Sequence, residues 1–403
     1  MLDALFRPGA DSGHAGDTPA PRNGTGNNGM IKEDLSLEQS SAAKRDTLVE
    51  FRGVQKTYDG ENLVIKHLDL RIERGEFLTL LGPSGSGKTT CLMMLAGFEF
   101  PTAGEIRLDG QLLNKVPPHK RNIGMVFQNY ALFPHMTVGQ NVAYPLRVRG
   151  VDNGTRAAKV KHALDMVQMG KFSDRYPAQL SGGQQQRIAL ARALVFEPKL
   201  VLMDEPLGAL DKQLREHMQL ELKALHNRLG VTFVYVTHDQ SEALTMSDRV
   251  AVFDQGVIQQ LAAVDRLYEF PENQFVAGFI GDNNRFSGTV ESAADGYCGV
   301  RLPDGAVLRG VNVNAALVGQ AVTACVRPER IRLAATPAAT ANALRATVTG
   351  LIYFGDHVRV RCSSARQDDC FVKLGLNDPA LPTLSEGATV RLEIEPGRLR
   401  VFN

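Results

Sequence analysis

Three glycines, a lysine and a threonine fall within Gly82-Pro83-Ser84-Gly85-Ser86-Gly87-Lys88-Thr89, between an apolar run and a helical pattern. The segment fits G-x-x-x-x-G-K-[ST], a loop whose backbone N–H groups can wrap phosphates. The run Phe77-Leu78-Thr79-Leu80-Leu81 before it reads as a strand, and Thr90-Cys91-Leu92-Met93-Met94-Leu95 after it opens a helix. That strand–loop–helix context is what a phosphate loop requires, so all eight loop residues and Thr90 are candidate nucleotide contacts. Lys88 can supply a point positive charge to the β- and γ-phosphates, and the Thr89 hydroxyl can ligate Mg²⁺. Thr90 stands near the helix N-terminus, where unpaired N–H groups favour anions. Alone, the motif reads as binding ATP or GTP.

The 403 residues are enough for two to three domains, and 43% of them are hydrophobic. A net charge of +1 gives no electrostatic reason to expect nucleic acid or a polybasic membrane anchor. No run of eighteen apolar residues exists to span a bilayer, and the first residues lack the pattern of a secretory signal. Five cysteines without C-x-x-C read as packing residues in a reducing cytosol. Residues 8 to about 47 are rich in Gly, Asn, Asp, Ser and Pro, so 1–47 reads as a disordered leader, with Met30 a second candidate start.

From Leu48 to 282 short apolar runs alternate with helical stretches. The runs are 77–81, Leu200-Val201-Leu202-Met203, Phe233-Val234-Tyr235-Val236 and Val250-Ala251-Val252-Phe253. The pattern predicts an α/β domain around a mostly parallel sheet covered on both faces. Leu214, Met218, Leu222, Leu225 and Leu229 recur at helical spacing and mark one core-facing stripe. From 283 to 403 the runs are short and β-branched, broken by Asp-Gly and Pro, which predicts one or two all-β barrels of the oligonucleotide/oligosaccharide-binding (OB) shape. Such a fold could bind RNA, but no basic, aromatic-interleaved surface is evident for it.

Two further segments carry chemistry. Leu200-Val201-Leu202-Met203-Asp204-Glu205 is an apolar strand ending in two carboxylates. Asp204 at the strand end can reach a magnesium, and Glu205 can polarise an attacking water. Such a pair can also cap a helix, but the phosphate loop upstream favours the metal-site reading. Leu180-Ser181-Gly182-Gly183-Gln184 can form a capping box between Ser181 and Gln184, while its two glycines let backbone approach an anion closely.

Leu-Ser-Gly-Gly-Gln before a helix is the signature of the ATP-binding cassette (ABC) family, and with the phosphate loop it makes the chain resemble the ATPase subunit of a bacterial ABC importer. The resemblance implies a P-loop NTPase cassette with a helical subdomain, followed by an OB-like TOBE-type domain. It implies ATP and Mg²⁺, and catalytic roles for Lys88, Glu205 and His238, the last in Tyr235-Val236-Thr237-His238-Asp239. Thr89, Asp204 and Gln128 become the metal-site residues, Gln128 lying in Met125-Val126-Phe127-Gln128. Tyr58, 24 residues before Gly82, falls where the family stacks an aromatic on adenine; a core tyrosine is the alternative. Ser181, Gly183 and Gln184 would face the γ-phosphate held by a second subunit, and Asp211 would contact that subunit, so a homodimer is implied.

Gln128–Thr137 resembles the segment that receives a permease helix, although simple packing of the helical subdomain would also explain its apolar residues. The implied assembly has two permease subunits and an indirect periplasmic solute-binding protein, at the cytoplasmic face of the cell membrane. The tail, with Val326-Arg327-Pro328-Glu329, resembles regulatory TOBE-type domains. Phe275-Val276-Ala277-Gly278-Phe279-Ile280-Gly281-Asp282-Asn283-Asn284-Arg285 looks most like the polyamine (spermidine/putrescine) importers. The competing readings are an importer of another solute, a soluble ATPase acting on ribosomes or DNA, and an exporter. Soluble relatives typically have two cassettes or a long coiled-coil insertion, which this chain lacks, and exporters usually lack the tail.

Overall fold

The computed structural model describes residues 46–334, 342–364 and 367–403. The predicted leader lies outside the described residues up to 45. Residues Asp46–Asn403 form one compact unit. Its centre is a six-stranded sheet in the order β10-β9-β3-β8-β7-β6. Strands β3 (Phe77–Leu81), β6 (Ile123–Val126), β7 (Leu200–Asp204), β8 (Thr232–Thr237) and β9 (Arg249–Asp254) run parallel. Edge strand β10 (Val257–Ala263) is antiparallel to β9. Every residue of β3 and β8 is buried, the mark of a sheet covered on both faces.

One face is covered by α1 (Lys88–Ala96) and by an antiparallel sheet, β2-β1-β4-β5. Its strands are β1 (Thr47–Thr57), β2 (Leu63–Glu73), β4 (Ala103–Leu108) and β5 (Gln111–Leu112). Phe51 and Ile65 from this sheet, Leu92 and Leu95 from α1, and Leu80 and Leu202 from the central strands share one core. Sequence periodicity does not reveal this sheet. Four register shifts interrupt the β1–β2 pairing and blur the period of two.

The opposite face is covered by α5 (Lys212–Leu229), whose expected stripe is buried at Met218, Leu222 and Leu225 and half-buried at Leu214 and Leu229. Three helices, α2 (Val138–Val148), α3 (Asn153–Met166) and α4 (Gly182–Leu194), enclose a separate core of Val138, Val142, Leu164 and Ile188. Then follow α6 (Gln240–Met246), α7 (Val264–Glu269) and α8 (Gln274–Phe279).

Past α8 the described residues are all β apart from short 3₁₀ turns. Strands β11 (Asn284–Ala294), β12 (Tyr297–Arg301), β13 (Val307–Asn312), β14 (Ala321–Val326) and β20 (Arg400–Phe402) close a barrel. Strands β15 (Ile331–Ala334), β16 (Ala343–Tyr353), β17 (His357–Ser364), β18 (Gln367–Gly375) and β19 (Thr389–Ile394) form an open sheet, so only one of the two expected modules closes. The two pack on one apolar core that includes Phe286, Val300, Val348 and Leu392. All five cysteines are free and buried, as packing residues.

One buried cation fixes the end of α1. The Arg121 guanidinium donates to the carbonyls of Met94 and Leu95 (2.7 and 2.8 Å), Leu113 (2.8 Å) and Val116 (2.7 Å). It satisfies helix-end oxygens that have no partner within the helix, and meets the dipole's negative end. Arg121→Ala should strand these oxygens and destabilise the protein by about 2–4 kcal/mol. Arg121→Lys should rescue little, because an ammonium cannot reproduce the planar fork. Urea unfolding of both variants checks this; a loss below about 1 kcal/mol for the alanine variant would refute it.

Candidate functional site

The loop leaving β3 turns back over its own strand end. Backbone of β9 passes so close to Gly82 that a Cβ there would meet the Phe253 carbonyl oxygen at 2.2 Å. Gly87 caps α1 with φ of 105°, and a Cβ there would strike Ile65 Cδ1 at 2.5 Å. The positive φ and the crowding both demand glycine. Because Gly87 is the cap, α1 begins at Lys88, two residues earlier than the apolar pattern indicated.

Lys88 is buried and donates from Nζ to the carbonyls of Gly82 and Pro83, both at 2.8 Å, and toward Ser86 Oγ at 3.4 Å. The ammonium thereby holds the loop as an open ring. Burial pushes its pKa down, while the charges of Glu205 and Asp204 oppose that shift. Ser84, Gly85, Gly87, Lys88, Thr89, Thr90, Glu205 and Val64 line a cavity of about 260 Å³. Gly82, Pro83 and Ser86 face Lys88 instead.

At the end of β7 the two carboxylates part. Thr89 Oγ1 donates to Asp204 Oδ1 at 3.1 Å. Burial raises the Asp204 pKa and the Glu205 charge adds to the rise, against the Thr89 hydrogen bond and Lys88. Glu205 adopts a left-handed backbone, φ 43°, fixed by its N–H bond to the Val236 carbonyl at 3.0 Å. A non-glycine residue pays conformational strain there, and such strain clusters at functional sites. Glu205 Oε1 lies 3.2 Å from His238 Nδ1, and Gln128 Nε2 reaches Oε2 at 3.5 Å. Neither carboxylate caps a helix, since α5 starts only at Lys212 with Asp211 as its N-cap. An oxygen-rich pair such as Thr89 and Asp204, with the Gln128 amide nearby, suits a hard cation such as Mg²⁺.

The structure thus brings Lys88, Thr89, Gln128, Asp204, Glu205 and His238 to one place. Tyr58, Ser181, Gly183, Gln184 and Asp211 lie outside the cavity's lining. Tyr58 is 60% exposed with Lys56 Nζ 4.6 Å from its ring centroid, so it is no core tyrosine. Ser181 forms the reciprocal capping box with Gln184, the two bonds measuring 3.4 and 3.0 Å, and both Ser181 and Gly182 are exposed. Gly183 is buried against Leu214, with only 3.3 Å for a Cβ. Asp211 Oδ1 accepts from Leu214 N at 3.0 Å.

Within 128–137, Tyr130 is buried and Leu132 packs inward, so those apolar residues serve the interior. Phe98 and Phe100 are about half exposed, and the Phe98 ring centroid lies 6.0 Å from that of Phe127. Sequence reasoning missed Phe98, Phe100, Val64 and Arg192. Arg192 on α4 donates to the carbonyls of Tyr130 and Ala131 at 2.8 and 2.7 Å, fixing two left-handed residues of the loop after Gln128. A charged residue inside an apolar helix was the available signal.

Residues 65–208 match the ABC transporter family and residues 324–402 the TOBE domain family. A spermidine/putrescine import ATP-binding protein of Rubrobacter xylanophilus is 50% identical over 313 residues, which is 77% of this chain and 82% of that protein. One of Pseudomonas aeruginosa is 50% identical over 317 residues, 77% and 85% of the two chains. One of Thermobifida fusca is 45% identical over 355 residues, 86% and 91%. Among solved structures, cbiO1 of Clostridium perfringens, part of the ABC transporter complex cbiONQ, aligns with a TM-score of 0.52 at 27% identity, over 55% of this chain and 91% of that one. With its phosphate loop, its paired carboxylates and its β-rich tail, the chain belongs to the family of ABC import ATP-binding proteins.

Proposed function

We propose that this protein hydrolyses ATP to drive polyamine uptake through a membrane permease, and that its site works as follows. Lys88 releases the loop carbonyls and binds the β- and γ-phosphates, while the N–H groups at the start of α1 take the remaining phosphate oxygens. Thr89 and Asp204, with Gln128, would hold Mg²⁺, which supplies charge neutralisation at the phosphates when bound. Glu205 orients and deprotonates the attacking water, and His238 steadies that carboxylate and donates toward the γ-phosphate. The observation that carries this reading is Glu205 itself, held at a strained backbone position between His238 and Gln128. Tyr58 stacks its exposed ring on adenine.

Ser181, Gly183 and Gln184 lie outside the cavity that Lys88 lines, which supports a composite site across a homodimer: each chain offers its signature helix to the nucleotide of the other. Asp211, at the head of α5, contacts the partner chain. Phe98, Phe100 and the 128–137 loop receive the permease, at the cytoplasmic face of the membrane; no helix among the described residues is long and apolar enough to cross it. The names of the relatives and the Phe275–Arg285 segment support spermidine and putrescine as cargo.

Glu205→Gln should retain nucleotide affinity and lose 10²–10⁴-fold in turnover, the usual contribution of a general base. Turnover above about half of wild type would overturn that role.

Mixing Ser181→Arg with Lys88→Ala chains should restore activity that neither variant has alone, because a mixed dimer keeps one site with both halves intact. Absence of any gain would argue for a site closed within one chain.

Deleting the gene should lower uptake of labelled spermidine or putrescine and leave sugars, sulfate and ferric iron unaffected. A fall in another solute instead would overturn the cargo and keep the importer.

A further inference from the structure

Where α7 meets the β-rich region, three segments bring arginines together: Arg327 and Arg330 after β14, Arg398 in the turn before β20 with Arg400 at its start, and Arg266 on α7. The first four line a small cavity of about 20 Å³, with Glu269 as its single carboxylate. Glu269 is already shared, pairing with Arg330 through Oε1 and with Arg398 through Oε2 at 2.9 Å. Arg327 is satisfied by peptide oxygens. It donates to the carbonyls of Ala277, Ile280 and Asp282 and to that of Tyr268 at 3.1 Å.

Arg400 differs. Among the described residues it has no carboxylate partner, and its neighbour is the Phe270 ring, 5.5 Å away, which Arg266 also approaches at 4.7 Å. The Nε–H groups of Arg330 and Arg400 are both buried without an acceptor. Buried donors are paired in folded proteins, and two orphaned donors on arginines that line a cavity with excess positive charge point to a missing acceptor of opposite sign.

We propose that this junction is a binding site for a small oxyanion, held by Arg330, Arg398 and Arg400. The guanidinium fork matches the spacing of two oxygens on one anion, which a spherical halide cannot provide. The cavity has room for about one oxygen-sized group, so the ion inserts one oxygen and leaves the rest at the mouth. An anion there ties α7 to the last strand of the barrel, and its occupancy tightens the hold of the β-rich region on the cassette. The site is separate from the phosphate loop and stands whether or not the cargo assignment does.

The full-length protein, saturated with Mg²⁺ and ADP to fill the phosphate loop, would be titrated with labelled sulfate at constant ionic strength. We expect wild type to bind one more sulfate per chain than Arg400→Gln, with affinity for that ion at least tenfold weaker in the variant. Sulfate should also raise the melting temperature of wild type more than that of the variant. Should Arg400→Gln fail to fold, Arg398→Gln, at an exposed position, is expected to weaken binding in the same sense. Displacement of sulfate by phosphate or acetate supports the proposal and distinguishes a tetrahedral anion from a carboxylate. Equal binding in wild type and variant, or displacement by chloride as effective as by phosphate, overturns it.

Discussion

A parallel sheet covered on both faces leaves only the ends of its strands for chemistry, and the described cassette is organised by that restriction. The phosphate loop, Gln128, Asp204 with Glu205, and His238 all lie at or just beyond the carboxyl ends of β3, β6, β7 and β8. β8 runs between β3 and β7, so those two ends stand roughly 10 Å apart, two inter-strand spacings. Thr89, in the first turn of α1, spans that gap to Asp204. A register error of one residue would turn these side chains into the core instead, so the buried ladder fixes the geometry of the site.

Buried or half-buried cations without a full carboxylate partner recur at the points where loops must hold still. Lys88 binds the carbonyls of its own loop, Arg121 those at the end of α1, Arg192 those after Gln128, and Arg327 those at the end of α8. Burial lowers the pKa of each, that of Arg121 to about 10. Peptide oxygens provide a solvating shell that a single carboxylate could not, since they come from several turns of chain at once. Arg192 has a second consequence, because it joins the helix of the Ser181–Gln184 motif to the loop carrying Gln128.

The sequence was most readable where chemistry and local structure coincide. The four apolar runs became parallel strands, and the carboxylate pair emerged at a strand end because a strand's last residue has only one place to go. The stripe from Leu214 to Leu229 was legible because helical spacing is a local property. What the sequence concealed was close approach between distant segments: Val64 beside the phosphate loop, Phe253 over Gly82, and the bulged antiparallel sheet. It marked Arg327 only as part of the Val326–Glu329 segment and Arg400 not at all, because these arginines acquire their meaning when a turn and a strand some seventy residues apart converge. Ser181 and Gln184 illustrate the reverse: the capping box and the family signature are the same residues, and one chain's geometry displays only the first.

The barrel is completed by β20, which lies between β13 and β14, parallel to the one and antiparallel to the other. Its first strand begins at Asn284, so the ring stays open until residues 400–402 have been synthesised. During translation the β-rich region therefore presents two unpaired sheet edges to the surrounding cell, a hazard that closed barrels otherwise avoid. A proteolytic nick removing Arg400–Asn403 would leave Lys88, Asp204, Glu205 and His238 in place and still convert a closed barrel into an adhesive one.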